Sequence, residues 1–117
     1  NPGGKDASEL HDSNMPAYHE EIFGPVTSVI IVKNREQAIE IANDSEYGLG
    51  ASIWTKDVEA AESYVPLLNA GAVNINKNVS SDPRLPIGGV NKSGFGRELS
   101  EYGIKEFTNI KSVTVVG

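Results

Sequence analysis

Hydrophobic and polar positions along this chain alternate with different periods, and the changes of period mark out its elements. Residues 26–32, Val-Thr-Ser-Val-Ile-Ile-Val, are dense in β-branched side chains. That composition predicts a strand covered on both faces in a parallel sheet. Asn34 then offers a helix N-cap, with Gln37 at the third helical position to close a capping box. Ala38, Ile41 and Ala42 recur at steps of three and four, so a helix with one buried face is predicted over about 35–43. After Tyr47-Gly48-Leu49-Gly50, residues 51–54 read as a short second strand. Thr55 or Asp57 caps a second helix through Val58, Ala61, Val65 and Leu68, with Pro66 tightening its last turn and Gly71 suited to the left-handed C-terminal position. A third strand follows over 72–75.

Periodicity then fades. Residues 76–96 are polar and carry six Gly and Pro residues, the signature of a long working loop. A short helix is predicted at 97–102 and a terminal strand over 107–116. In that strand Ile110, Val113 and Val115 alternate with Lys111, Ser112 and Thr114, the pattern of a half-exposed edge or interface strand. The strand-helix-strand-helix-strand order predicts an α/β fold with a parallel sheet, because helical crossovers of this length bring successive strands parallel. Residues 1–19, rich in Gly, Asn, Asp, Ser and Pro, read as irregular surface chain.

With 117 residues, 38% hydrophobic and 22% charged, the chain suits one folded unit and is too short for a two-domain oxidoreductase. Sixteen acidic against ten basic residues give a net charge of −6, which disfavours nucleic acid and anionic membranes as partners. No apolar run approaches the roughly 20 residues that span a bilayer. The start Asn1-Pro2-Gly3-Gly4-Lys5 lacks signal-peptide character, so a cytoplasmic location is expected. Cysteine is absent, which excludes disulfides, thiolate metal sites and a thiol nucleophile from this chain. The two histidines, His11 and His19, read as solvated loop residues, and no metal site is expected.

Two motifs narrow the family. Glu20-Glu21-Ile22-Phe23-Gly24-Pro25 stands just before the β-branched run, and Pro86-Ile87-Gly88-Gly89-Val90-Asn91-Lys92-Ser93-Gly94-Phe95-Gly96-Arg97-Glu98 closes the long loop. Separated by two helical crossovers, they resemble the C-terminal part of NAD(P)-dependent aldehyde dehydrogenases. The resemblance runs from Met15 to Val116 and takes in Tyr47-Gly48-Leu49 and Trp54-Thr55-Lys56-Asp57. Within that family, Met15-Pro16-Ala17-Tyr18-His19-Glu20-Glu21 and Ser81-Asp82-Pro83-Arg84-Leu85-Pro86 are similar to bacterial and archaeal succinate-semialdehyde dehydrogenases. The resemblance implies part of a three-layer, parallel-sheet catalytic domain over 1–96, followed by a short helix and an oligomerisation strand over 97–117.

It also implies roles for particular residues. Glu21 resembles the carboxylate that holds the nicotinamide ribose diol of NAD or NADP, and Phe23 the ring beside that ribose. By residue type alone they would be a loop acid and a core anchor. Ser80 and Ser81, with Ser81 the better placed, fall where succinate-semialdehyde enzymes offer a hydroxyl to the far carboxylate, and Arg84 adds a cation beside them. Read without the family, the same loop is ordinary polar surface. Most relatives have Phe where Ile87 stands, so an aromatic tunnel wall is expected to be lost. Glu98 resembles a residue near a buried proton path; an ion pair with a neighbouring Lys or Arg is the more conservative assignment.

The implied chemistry is oxidation of an aldehyde, with succinate semialdehyde the expected substrate, through a cysteine thioester. Its cysteine and water-activating glutamate are expected upstream, so this chain alone is expected to be inactive. A second reading, from a different class, is a non-catalytic module that pairs through its terminal strand with itself or a partner. A free-standing Rossmann domain is disfavoured, since no G-x-G-x-x-G follows a strand.

Overall fold

Two of the helices start where a capping side chain dictates. The computed structural model describes residues 15–117, in two compact units that divide between Ser45 and Glu46. The expectations for His11 and for residues 1–14 lie outside the described residues.

In the first unit, helix α1 (Pro16–His19) opens with proline at its first position, where the missing N–H is of no consequence. His19 ends this helix, its ring edge-on to Tyr18 at 4.7 Å, in place of the loop setting expected for it. Helix α2 (Arg35–Asn43) is capped by the Asn34 side chain, which accepts from the Gln37 amide at 2.9 Å. Such a cap is worth about 1 kcal/mol. The Gln37 side chain reaches back as expected but accepts from Lys33 N–H at 2.8 Å, one residue earlier than a standard capping box. Tyr18 donates its hydroxyl proton to Asp44 at 2.7 Å, tying α1 to the end of α2. That bond, together with burial and the nearby Asp44 and Glu40 charges, raises the tyrosine pKa.

The second unit is built on one strand-helix-strand turn. Strands β1 (Gly50–Ile53) and β2 (Ala72–Ile75) are parallel, in the register Gly50 to Ala72 through Ile53 to Ile75. Between them runs α3 (Val58–Tyr64), capped by Asp57, whose carboxylate accepts from Ala60 N–H at 3.0 Å. Thr55 plays a lesser part and accepts from the Asp57 amide. Pro66 converts the following turn, Val65–Leu67, to a 3-10 helix, as its ring and missing N–H require. Helix α3 packs on β2, and Ala61 on its inner face is 2% exposed.

Three expectations change. The β-branched run 26–32 joins no sheet; among the described residues the sheet has two strands, and Val29 is exposed. β-branched side chains favour the extended conformation, but a strand exists only where another backbone supplies its ladder. The terminal stretch 107–116 is likewise unpaired, with Phe107, Ile110, Val113, Val115 and Val116 exposed. The last helix, α4 (Ser100–Glu106), begins three residues later than predicted. Glu98 is engaged in an antiparallel bridge with Ile87, and Leu99 turns the chain at φ 61° before the helix can start.

Gly71 is needed for a different reason from the one its sequence context suggests. Among the described residues the glycines with positive φ are Gly94 and Gly96; at Gly71 an added Cβ would overlap the carbonyl oxygen of Gly88. The start of β2 and the glycine-rich stretch therefore touch backbone to backbone, which only glycine permits.

Candidate functional site

The glycine-rich stretch is fastened to the segment before β1 by a short clasp. Lys92 N–H donates to Glu46 O at 2.9 Å and Val90 N–H to Gly48 O at 3.0 Å. In return, Gly48 N–H donates to the Ser93 hydroxyl oxygen at 2.9 Å. Lys92 also pairs its ammonium with the Glu46 carboxylate, which raises the lysine pKa. Both side chains of that pair are largely exposed, so the backbone bonds and the Ser93 contact hold the clasp more than the charges do.

Farther along, the chain doubles back on itself. Ile87 and Glu98 exchange both backbone hydrogen bonds, at 2.9 and 2.7 Å. The Arg97 guanidinium donates to the carbonyls of Gly89 and Gly96 at 3.0 and 2.6 Å and thereby braces the loop between them. A Cβ at Gly88 would strike the Gly96 carbonyl. The result is a cleft of about 290 Å³ whose lining includes Ser81, Ile87, Gly88, Gly89, Phe95 and Glu98.

Of the residues singled out by resemblance, this cleft gathers Ser81, Ile87 and Glu98. Ser80 and Arg84 are absent from its lining. Arg84 instead closes on Asp82, with Nε to Oδ1 at 3.0 Å and Nη2 to Oδ2 at 2.7 Å. The guanidinium and the Arg84 amide together hold the Asp82 carboxyl down at about 2, with Lys77 adding a smaller pull. Glu98 takes part in none of the ion pairs found among the described residues, so the conservative expectation of a Lys or Arg partner is not met. Arg97, its neighbour, is spent on carbonyls.

Glu21 and Phe23 belong to the first unit, in a stretch that is neither helix nor strand. Both are exposed, Phe23 at 93%. Phe23 is thus no core anchor within this chain. An accessible carboxylate two residues from an accessible phenyl ring fits the needs of a ribose: two acceptor oxygens for a vicinal diol and an apolar face to pack against it.

Some site residues escaped the sequence reading. Phe95 stands at the rim of the cleft with its side chain fully exposed; its place between Gly94 and Gly96 was the available signal. Asn76, in the left-handed conformation at φ 54°, accepts from Thr55 N–H at 2.8 Å and ties together the carboxyl ends of β1 and β2. Asparagine just after a strand is the residue type that tolerates this conformation. Ser93 carried no local cue at all, because its partner lies 45 residues away.

Comparison with known proteins places this architecture. The sequence signature described as the aldehyde dehydrogenase family matches residues 9–113. The chain belongs to the aldehyde dehydrogenase family. It is 52% identical over 99 residues to the succinate semialdehyde dehydrogenase Sad of Escherichia coli K12, named for NAD(P)+; the match covers 85% of this chain and 21% of that protein. Among solved structures, the succinic semialdehyde dehydrogenase of Streptococcus pyogenes in complex with NADP+ superimposes with a TM-score of 0.84 at 42% identity, covering 91% of this chain and 23% of that one. An aldehyde dehydrogenase of Mycobacterium tuberculosis complexed with NAD+ gives a TM-score of 0.79 at 43% identity, covering 84% of this chain and 20% of that one. The chain thus spans about a fifth of the length of the curated relatives it matches. Its helices and parallel strands are those of the aldehyde dehydrogenase fold, which bears out the α/β expectation. No helix among the described residues is long and apolar enough to cross a membrane.

Proposed function

We propose that this chain is the C-terminal part of a cytoplasmic, NAD(P)-dependent succinate-semialdehyde dehydrogenase. The observation that carries the reading is the cleft that brings Ser81, Ile87 and Glu98 together against Gly88 and Gly89. Ser81, with Ser80 and Arg84 in the same loop, faces the distal carboxylate of the substrate; Ile87 forms part of the tunnel wall. Glu98, whose backbone is fixed by the bridge to Ile87, serves a proton path. Glu21 and Phe23 hold the nicotinamide ribose. When bound, NAD(P)+ accepts the hydride that leaves the aldehyde carbon, and water supplies the oxygen of the product acid.

The thiol nucleophile and the carboxylate that activates water come from upstream in the same polypeptide, since this chain has no cysteine. The exposed apolar side chains support a larger whole. Phe23, Phe95 and Phe107 are each more than 90% exposed, and these large rings gain most from cover by further protein. Residues 97–117 form the assembly segment, with 107–116 extending a sheet across a subunit boundary.

The test is a spectrophotometric assay of NAD(P)+ reduction. The complete polypeptide should reduce cofactor in the presence of succinate semialdehyde, and the 117-residue chain should not. A complete polypeptide that leaves succinate semialdehyde untouched sinks the reading. The unpaired segment 107–116 also favours the second reading, a strand-pairing module. A well-folded dimer of the isolated chain without affinity for nucleotide, seen by analytical ultracentrifugation and titration, supports that alternative.

A further inference from the structure

The loop that carries Ser81 contains its own competitor for an anionic substrate. Asp82 accepts three hydrogen bonds from Arg84: Nε to Oδ1 at 3.0 Å, Nη2 to Oδ2 at 2.7 Å, and the backbone amide to Oδ1 at 3.0 Å. The first two occupy the edge of the guanidinium that engages a carboxylate through two parallel bonds. A second carboxylate that seeks this same Nε–Nη2 edge must displace the one it already holds. The geometry is asymmetric, for the Asp82 side chain is 22% exposed and that of Arg84 is 86% exposed. The acid is the more enclosed partner and the arginine the more accessible one. Lys77 lies close enough to Asp82 to stabilise its charge, so Asp82 keeps a cationic neighbour when Arg84 swings away. Ser81, one residue before Asp82, lines the cleft, whereas Arg84 does not.

We propose that Asp82 is a specificity-setting positioning residue: a built-in carboxylate that competes with the distal carboxylate of an incoming aldehyde for the Arg84 guanidinium. This rests on the reading above that the Ser81 loop receives the far end of the substrate. Asp82 keeps Arg84 latched outside the cleft until an anionic aldehyde arrives, and so weakens the preference for acidic over neutral aldehydes that a free arginine would confer. Its effect falls on binding and leaves turnover alone, because the guanidinium acts at the end of the substrate away from the reacting carbon.

The experiment compares succinate semialdehyde with butanal, a neutral aldehyde of equal chain length, in the complete enzyme. Asp82→Asn removes the charge but keeps an acceptor oxygen for the Arg84 amide, so the local turn is retained. The expected result is a roughly two- to fivefold fall in KM for succinate semialdehyde, the range set by one exposed ion-pair competitor. KM for butanal and kcat for both aldehydes should hold steady. In the double variant Asp82→Asn/Arg84→Met the gain should vanish, since the released guanidinium is gone. Asp82→Ser, which also offers a turn-forming oxygen, gives the same readout if the Asn variant folds poorly. Equal KM shifts for the two aldehydes, or a gain that persists in the double variant, overturns the inference while the functional reading stands. A wild-type enzyme inactive toward succinate semialdehyde overturns both.

Discussion

Residues 86–98 and residues 107–116 both mix small or β-branched side chains with polar ones, yet their backbones meet different fates. In the first stretch Ile87, Val90, Lys92 and Glu98 all donate backbone hydrogen bonds to carbonyls within this chain. The second stretch joins no strand, and its apolar side chains face outward; Ile110 is 88% exposed. Composition does not separate them. What differs is whether a backbone partner is found among the described residues. A hydrogen-bonding group satisfied internally makes a fixed loop, whereas an extended segment without a ladder partner keeps its backbone groups open to solvent.

The comparison can be broken most severely at Gly71. Gly71→Ala forces a methyl group into the Gly88 carbonyl, and backbone cannot yield as a side-chain tip can. The expected cost is about 3 kcal/mol or more, seen as lost hydrogen-exchange protection at the Ala72 and Asn76 amides. Gly24→Ala, with nothing within 4 Å of the new methyl, is the control and should cost less than about 0.5 kcal/mol. Protected exchange in the Gly71 variant would mean that the two backbones are not in contact. Ser93→Ala is milder. It deprives the half-buried Gly48 amide of its acceptor and should cost about 1 kcal/mol, or roughly fivefold faster exchange at Val90 and Lys92. Ile110→Glu should be mildest for the fold, leaving protection of β1 and β2 within about 0.5 kcal/mol of the parent. Its signature is a smaller assembly in sedimentation velocity of the complete protein. Unfolding of the β1–β2 pair in this variant would show that the tail supports the unit it leaves.

What sequence alone made legible was the local part of the structure. Asn34 and Asp57 cap the helices they precede, and Pro66 tightens the turn it enters, because each acts on backbone within a few residues of itself. β1 and β2 were readable within one residue, and their parallel pairing followed from the helix between them. The strands expected over 26–32 and 107–116 were not realised, since β-branched composition favours an extended backbone but does not supply a neighbour. Gly71 illustrates the same limit: its use as a contact point depends on Gly88, and no local rule reveals that. At the site, the motif pointed to Ser81, Ile87 and Glu98, which do share a cleft. It missed Phe95 and the Asp82–Arg84 latch. The latch was the more readable of the two, since opposite charges two residues apart flank Pro83.

The clasp between residues 46–48 and 90–93 also sets an order of events. Glu46 and Gly48 leave the ribosome long before their partners, for Ser93 follows Gly48 by 45 residues. Closing so long a circuit in a flexible chain carries an entropic penalty that rises with the logarithm of its length. Pairing of β1 with β2 shortens the circuit beforehand by bringing its ends near each other. Once the strands are paired, the glycine-rich arm closes on residues 46–48 across a much shorter effective loop.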